Sequence, residues 1–358
     1  MQIWELFESI PASLPKKRTN DTFETYLLGI YRDYLDCVDR LDPSCYLGSR
    51  VLASKYNIEQ VGRWVSGAVQ QYLQGQPEKA YRLLRRGIYS LNKVGNLVTK
   101  DIAPTDLVPL YRMDAGVKKD LSKKRLFHIP LERRHLVGRH RYGIPGFPCL
   151  YLGSSLQVCR LEIGLKPHKM HQAAIAEFAP THTVRLLDLG YCPSQMAIVA
   201  KARLLAQSQG QNNTQFDDFI VNYAICWPLI AACAIQKLHN GKDVKFSIEY
   251  IIPQLLLQWV MRETMCDGIR YFSTWVEPDD QNIRSSSNFV FPALPPPSVG
   301  QSQKLKNLFV MTEPCKWKGM NLLNQVLVRL WPKLSLQIMA DMFDRNAKHL
   351  ESLPKSRL

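Results

Sequence analysis

The stretch Pro148-Cys-Leu-Tyr-Leu-Gly153, followed after two serines by Leu156-Gln-Val-Cys-Arg-Leu-Glu162, decides the fold of the chain. A short apolar run bounded by proline and glycine predicts a β-strand. The second run predicts a short, mostly apolar helix over 155–163 that carries one glutamate. A buried glutamate needs a partner, whereas an exposed one needs only water, and these residues alone leave both positions open.

Further runs of the same kind lie on both sides of this stretch. They predict strands at 107–112, 184–189, 268–273, 288–292 and 308–311. Apolar residues at helical spacing predict helices between them, at 196–208, 216–235 and 248–265. Strands and helices in this irregular order predict an α+β domain with a mixed sheet.

The first hundred residues have a different pattern. Apolar residues recur every three or four positions over 23–38, 58–74 and 77–91, which predicts amphipathic helices that pack in a core. The tail from Gly319 to Leu350 is also helical in pattern, with an interruption at Pro332. We therefore predict an N-terminal helical domain at 1–104, an α+β domain at 105–315 and a C-terminal helical extension at 316–358.

Nine cysteines are scattered along the chain without a Cys-x-x-Cys pair, which argues against a disulfide framework and a structural zinc. The start, Met1-Gln-Ile-Trp-Glu-Leu-Phe-Glu8, has acidic residues where a signal peptide has basic ones. The most apolar stretch, 224–235, is too short to cross a bilayer. These features predict a cytoplasmic protein that does not enter a membrane.

The chain is strongly basic, with 46 Lys and Arg against 31 Asp and Glu and a formal net charge of +15. This charge attracts polyanions such as nucleic acid or an acidic protein. A pocket for a dinucleotide diphosphate also requires positive charge, so the charge alone leaves both interpretations open.

Several familiar catalytic signatures are absent from the sequence, including the P-loop, Gly-x-Gly-x-x-Gly, His-Glu-x-x-His and the nucleophile elbow. His168, His171 and His182 lack a carboxylate or cysteine in register, so we predict surface histidines and no metal site. Arg112 and Ser273 each lie at a strand end, where composition alone predicts nothing more specific than turn residues.

A series of short motifs stands out by its order and spacing. They are Tyr111-Arg112, Arg141-Tyr142, Gly146-Phe-Pro148, Leu150-Tyr-Leu152, Glu162, Glu249-Tyr250 with Pro253-Gln-Leu255, Asp267-Gly-Ile-Arg-Tyr-Phe-Ser273 and Asn288-Phe-Val-Phe291. This series resembles the RES domain family, named for its Arg, Glu and Ser, which comprises NAD⁺-degrading toxins of Res–Xre-type toxin–antitoxin systems. The resemblance covers about residues 106–315 and leaves the N-terminal helices outside it.

The resemblance implies an ADP-ribosyltransferase-like mixed sheet and cleavage of NAD⁺ at its nicotinamide–ribose bond. It implies that Glu162 stabilises the developing ribosyl cation, while Arg112 and Ser273 hold the dinucleotide. Arg141, Tyr142 and Tyr151 would also contact it, with Tyr142 stacking on the nicotinamide. NAD⁺ is then a substrate, and no cofactor is implied.

The resemblance leaves the acceptor, the activity and the partners open. The acceptor of the ADP-ribose is water, phosphate or, in a macromolecular ADP-ribosyltransferase, a protein side chain. A non-catalytic module that binds nucleic acid or a partner protein on a RES-like scaffold is the alternative from another class. For the toxin we expect an inhibitory antitoxin whose footprint includes the basic loop Lys118–Arg141, and the sequence leaves a homo-oligomer open.

Overall fold

The computed structural model describes residues 1–18, 22–93, 95, 97–105, 109–115, 121–238, 244–275, 286–294, 299–318 and 332–357, the side chains of 332–338 excepted. The chain forms two compact units. The first consists of Met1–Thr99, His140–Tyr142 and Tyr191–Glu263. The second consists of Lys100–Arg139, Gly143–Gly190 and Thr264–Leu358.

This division differs from the predicted domains at 1–104, 105–315 and 316–358. The first boundary lies within a few residues of the predicted one, but Tyr191–Glu263 belongs to the first unit rather than to the sheet domain. The C-terminal segment belongs to the second unit instead of forming an extension of its own. A contiguous domain was the simplest expectation because nothing in the sequence marks where the chain returns to the first unit.

The helices are, in chain order, α1 (Ile3–Glu8), α2 (Phe23–Val38), α3 (Tyr46–Ala53), α4 (Lys55–Leu73), α5 (Pro77–Lys93), α6 (Lys123–Leu126), α7 (Leu156–Glu162), α8 (Pro193–Ser208), α9 (Thr214–Cys233), α10 (Ile251–Glu263), α11 (Gln303–Leu308) and α12 (Pro332–Glu351). Short 3₁₀ helices lie at Leu131–Leu136, Pro167–Gln172 and Ile248–Tyr250. The strands are β1 (Lys16–Lys17), β2 (Thr99–Ile102), β3 (Leu110–Asp114), β4 (Cys149–Gly153), β5 (Ala174–Pro180), β6 (Val184–Leu189), β7 (Ile235–Gln236), β8 (Gly268–Phe272), β9 (Ser287–Pro292), β10 (Phe309–Thr312), β11 (Cys315–Lys316) and β12 (Lys355–Ser356).

The predicted α+β class is confirmed. The helices and strands predicted within the described residues are confirmed with shifts of a few residues at their ends. Parts of two predictions, 107–108 and 319–331, lie outside the described residues. The strand β5 was missed because its first residues, Ala174-Ile-Ala-Glu177, lack the β-branched and aromatic density of the other strands.

Helix α9 forms the core of the first unit. Its Trp227 stacks on Tyr34 of α2, with the ring centroids 3.9 Å apart. The Tyr34 hydroxyl donates to the Ala224 carbonyl, and the Tyr31 hydroxyl donates to the Pro228 carbonyl. By length and composition alone α9 could cross a membrane, but most of it is buried within the protein, as is typical of a core helix.

The second unit is built on a mixed sheet with the order β12-β10-β5-β3-β4-β9-β8-β6-β2, and β11 also pairs with β5. The β6–β8 pair is parallel, while the pairs from β5 through β3, β4 and β9 to β8 are antiparallel. One face carries an aliphatic and aromatic core; its largest residues are Phe127, Phe178, Phe289, Phe291 and Phe309. The opposite face packs against α7 and α12.

The sheet loosens between β3 and β4. The described pairing of these strands consists of Tyr111 opposite Gly153, whereas β3 pairs with β5 at five positions. If the antiparallel pairing continued, Tyr151 would stand opposite Met113. Its carbonyl accepts a hydrogen bond from the Arg112 side chain instead. The Arg112 guanidinium therefore lies where the pairing of β3 with β4 ends.

Candidate active site

Glu162 is the last residue of α7 and lies where several strands of the second unit end. The helix begins at Ser155, whose side chain accepts the Val158 N–H as an N-cap. At the other end of α7, Oε1 of Glu162 accepts two hydrogen bonds. Ser273 Oγ donates at 2.7 Å and Asn288 Nδ2 donates at 2.6 Å.

The sheet fixes both donors beneath the carboxylate. Asn288 stands on β9 opposite Gly153 of β4 and Tyr271 of β8. Ser273 directly follows β8, and its N–H donates to the Ser286 carbonyl at 2.7 Å. Asn288 is 5% exposed and Ser273 1% exposed, while the Glu162 side chain lies at the surface. Two buried, uncharged donors therefore fix a carboxylate that faces the solvent.

Arg112 lies on β3 at the break in the sheet. Its Nη1 donates to the Tyr151 carbonyl at 3.0 Å, and its buried Nε has no hydrogen-bond partner among the described residues. Burial lowers the pKa of this guanidinium, and the nearby Asp114 opposes that effect. A buried cation with an unsatisfied donor is costly unless an anion binds there. Arg112 is therefore suited to hold a phosphate or carboxylate.

Cys159 of α7 lies near both Arg112 and Glu162. Its thiol donates to the Tyr111 carbonyl at 3.2 Å, and burial raises its pKa to about 12. The charges of Arg112 and Glu162 act on this thiol with opposite signs. The cation and the carboxylate thus both lie near enough to this uncharged thiol to act on it.

Two tyrosines share the sheet face of Asn288. Directly opposed residues of antiparallel strands point to the same side, and Tyr271 opposes Asn288 while Tyr151 opposes Val290. Burial raises the pKa of Tyr151 well above its usual value, so this phenol stays protonated. Tyr151 therefore stands opposite a residue two positions from Asn288, on the same face of the sheet, and its contact with a dinucleotide stays a prediction.

Arg141 and Tyr142 belong to the first unit, whereas the other predicted site residues belong to the second. Arg141 Nη1 donates to the carbonyls of Cys233 and Ile235 at 2.9 Å each, and its guanidinium lies over the Tyr250 ring. Tyr142 is 1% exposed, and its side chain hydrogen-bonds the Cys233 thiol. Both side chains thus contribute to the packing of the first unit, and their contact with a dinucleotide stays a prediction.

Asn288 and Tyr271 were not predicted as site residues from the sequence. Asn288 is the one polar side chain in the run Asn288-Phe-Val-Phe-Pro292, which is otherwise apolar and buried. A buried amide in such a strand needs a hydrogen-bond partner. That requirement is a signal that the sequence contains, although it does not identify Glu162, 126 residues earlier, as the partner.

The comparison with curated proteins gives one informative relative. The chain is 27% identical over 313 residues to a Bacillus subtilis (strain 168) protein named "Putative toxin YopC", covering 85% of this chain and 68% of the relative. No model of a known protein family matches the chain, and no solved structure matches it significantly. Over most of its length the chain is therefore similar to a protein named as a toxin.

Proposed function

We propose that this chain cleaves NAD⁺ at the bond between nicotinamide and ribose and that its activity is that of a toxin. The observation that carries the proposal is the Glu162 carboxylate, fixed by Ser273 and Asn288 near the buried guanidinium of Arg112. This arrangement combines a negative charge for a developing cation with a positive charge for a diphosphate. The name of the relative supports the toxin role alone, and the cleavage of NAD⁺ rests on the residues of the site.

The chemistry needs the carboxylate more than any other group. When nicotinamide leaves, the ribose becomes an oxocarbenium-like cation, as in glycoside hydrolysis. A preorganised anion stabilises that charge without reorganisation at the moment of reaction. Glu162 fits this role because two neutral donors fix Oε1 while the side chain faces the solvent.

Arg112 would bind the diphosphate of NAD⁺. Its guanidinium is fixed at Nη1 by the Tyr151 carbonyl, and its Nε is a buried donor with no partner among the described residues. The planar fork of an arginine can give two parallel hydrogen bonds to a phosphate, which a lysine cannot. Tyr151 and Tyr271, on the sheet face of Asn288, offer rings for the bases.

The resemblance implies that Ser273 holds the dinucleotide, but its hydrogen bonds favour a different role. Its hydroxyl donates to Glu162 at 2.7 Å and accepts the Trp275 N–H at 3.3 Å. Its hydrogen is therefore engaged by the carboxylate. We assign Ser273 as a positioning residue for Glu162 rather than as a direct ligand of the dinucleotide.

The wider expectations belong to the same proposal. The loosened mixed sheet would be of the ADP-ribosyltransferase type, and the enzyme would act in the cytoplasm. A toxin that consumes NAD⁺ must be restrained in its host, so an inhibitory protein partner is part of the proposal. The solvent-facing carboxylate leaves water, phosphate and a protein side chain as acceptors.

The test is nicotinamide release from NAD⁺ by the purified chain, with and without inorganic phosphate. We expect release by the wild type and its loss in Glu162→Gln, which keeps the size of the side chain and removes its charge. Glu313→Gln is the matched control because Glu313 is an exposed glutamate of the same unit, paired with Lys123. ADP-ribose, its 1-phosphate or a labelled protein identifies the acceptor.

Two results would contradict the proposal. Absence of release under all conditions, from folded protein, removes the activity. Release that survives Glu162→Gln removes the assigned site.

A further inference from the structure

A shallow groove runs along α5 in the first unit and is formed by residues that the proposed function does not use. Three adjoining depressions form it. The first lies between Pro77 and the α10 residues Gln258, Met261 and Arg262. The last, of about 500 Å³, is lined by Arg82, Arg85, Arg86 and Tyr89. The middle depression shares residues with both, so the groove is continuous.

The groove is long enough for several nucleotides. From Pro77 to Tyr89 the helix rises about 18 Å at 1.5 Å per residue. The outer face of α5 consists of polar and charged residues because Tyr81, Leu84, Ile88 and Leu91 turn inward. The helix itself carries five cationic residues and one acidic residue, which are Lys79, Arg82, Arg85, Arg86, Lys93 and Glu78.

The arginines of the groove differ in how they are paired. Arg82 pairs with Glu78, and both side chains are largely exposed, so this pair contributes little. Arg85 forms two hydrogen bonds with Glu263, at 2.6 and 3.3 Å. Arg86 has no acidic partner among the described residues. Of the three α5 arginines in the groove, Arg86 therefore has no acidic partner among the described residues, and a stronger anion could displace the partners of the other two. The fourth arginine of the groove, Arg262, lies over the Tyr81 ring.

Tyr89 lies at the end of this arginine cluster with 62% of its side chain exposed. It lines the same depression as the three arginines. An exposed aromatic ring among arginines is the combination by which proteins bind single-stranded nucleic acid, because bases stack on the ring while cations bind the phosphates. Tyrosine and arginine also recur at the centres of protein–protein interfaces, and competition with an acidic polypeptide distinguishes that partner from a nucleic acid.

We propose that this groove binds single-stranded nucleic acid. Arg82, Arg85 and Arg86 contact the phosphates, and a base stacks on Tyr89. The net charge of +15 favours the approach of any polyanion. Glu78 and Glu263 compete with the phosphates for Arg82 and Arg85, so they weaken the binding.

The experiment measures fluorescence anisotropy of a labelled oligothymidine of about a dozen nucleotides over a range of salt concentrations. The wild type should bind it, and Arg86→Gln should reduce the slope of log K against log salt by about 0.7, the value for one phosphate contact on a single strand. Tyr89→Leu should weaken binding about 5- to 100-fold with little change in slope. Glu78→Gln should strengthen binding because it releases Arg82.

Matched controls lie on α4. Arg63→Gln and Tyr56→Leu change an exposed arginine and an exposed tyrosine outside the groove, and they should leave binding unchanged. Three results would overturn the proposal: no binding, equal effects of the control and groove variants, or displacement of the oligonucleotide by an equal amount of polyglutamate. A duplex that binds as tightly as the single strand would overturn the single-strand assignment. None of these readouts depends on NAD⁺ cleavage.

Discussion

Asn288 donates its side-chain amide to Glu162 Oε1 at 2.6 Å, across 126 residues of sequence. The same oxygen accepts the Ser273 hydroxyl, so a strand and a strand end hold one atom of the carboxylate. Asn288 is buried, whereas the Glu162 side chain that accepts its amide hydrogen is exposed. The position of Glu162 is therefore set by the sheet as well as by α7.

Replacing Asn288 should separate catalysis from binding. Asn288→Ala removes a donor to Glu162, and we expect kcat for nicotinamide release to fall about 10- to 100-fold with little change in KM, because a misplaced group costs catalysis. Asn288→Asp should be more damaging because it sets a second carboxylate against Glu162. Steady-state kinetics on both variants gives the answer.

The control for this prediction is Asn346→Ala in the same unit. Asn346 is also buried, and its amide bonds the Lys318 backbone, so its loss should lower stability but leave kcat of the folded protein intact. Equal losses of kcat in the Asn346 and Asn288 variants would show that Asn288 acts only through stability.

Arg112 should be irreplaceable by lysine. Arg112→Lys keeps the charge but loses the fork, and we expect KM for NAD⁺ to rise about 10-fold or more, the value of one charge-assisted hydrogen bond. Inhibition by ADP-ribose, measured in the same assay, should weaken in parallel. Arg185→Lys is the matched control, since Arg185 pairs with Asp101 beside the start of β8, whereas Ser273 follows the end of that strand. A wild-type KM in Arg112→Lys would contradict the bidentate contact.

Gly153 should be required for the position of α7. A methyl group there would lie 2.8 Å from Cys159 Sγ, so Gly153→Ala must displace the helix that carries Glu162. We expect a loss of about 1–3 kcal/mol in urea unfolding, as for overpacking, together with slower nicotinamide release. Adding Cys159→Ala should restore part of both. Full activity of Gly153→Ala would show that α7 tolerates the shift.

Much of the second unit follows from local sequence, and the site follows only in part. Strands such as β8 and β9 are marked by β-branched and aromatic residues between turn residues, whereas β5 is interrupted by three alanines and a glutamate. Arg112, Glu162 and Ser273 were predicted from a resemblance in motif order. The hydrogen bond from Asn288 depends on strand register, which no local pattern specifies.

The placement of Arg141 and Tyr142 has a similar cause. These two residues shortly precede strand β4 in the sequence, and this proximity suggested that they share a pocket with residues of that strand. His140–Tyr142 belong to the first unit, where Arg141 donates to the carbonyls of Cys233, at the end of α9, and of Ile235. The periodicity of the sequence cannot predict that three residues within one unit's segment belong to the other unit.

His128 should make stability depend on pH in the mildly acidic range. It is fully buried, its Nε2 accepts the Ser302 N–H at 2.8 Å, and burial lowers its pKa from 6.5 to about 4. The unfolded chain therefore takes up a proton below pH 6.5 while the folded protein does not. Stability should fall between pH 6.5 and 4 by an amount on the order of 3 kcal/mol.

The measurement is urea unfolding of the wild type and His128→Gln across this range. The variant is less stable at pH 7 because it loses packing, but its stability should fall less steeply below pH 6.5. Parallel curves for the two proteins would rule out His128 as the titrating group.

Lys355 should matter mainly through Glu177. The two groups lie 2.8 Å apart, and Glu177 is 2% exposed. Lys355→Met leaves a buried carboxylate without its cation, and we expect a loss of about 1–3 kcal/mol in unfolding free energy. In a Glu177→Gln background the same change should cost much less. Equal costs in the two backgrounds would show that the pair is not coupled.

The distance along the chain between Glu162 and its two donors has a consequence during synthesis. A ribosome adds about 5–20 residues per second, so the 126 residues that separate Glu162 from Asn288 take on the order of 10 s to make. Until Ser273 and Asn288 have left the exit tunnel, the carboxylate lacks both partners. Under the proposed function, a nascent chain would therefore gain its NAD⁺-cleaving site only after Asn288 has emerged.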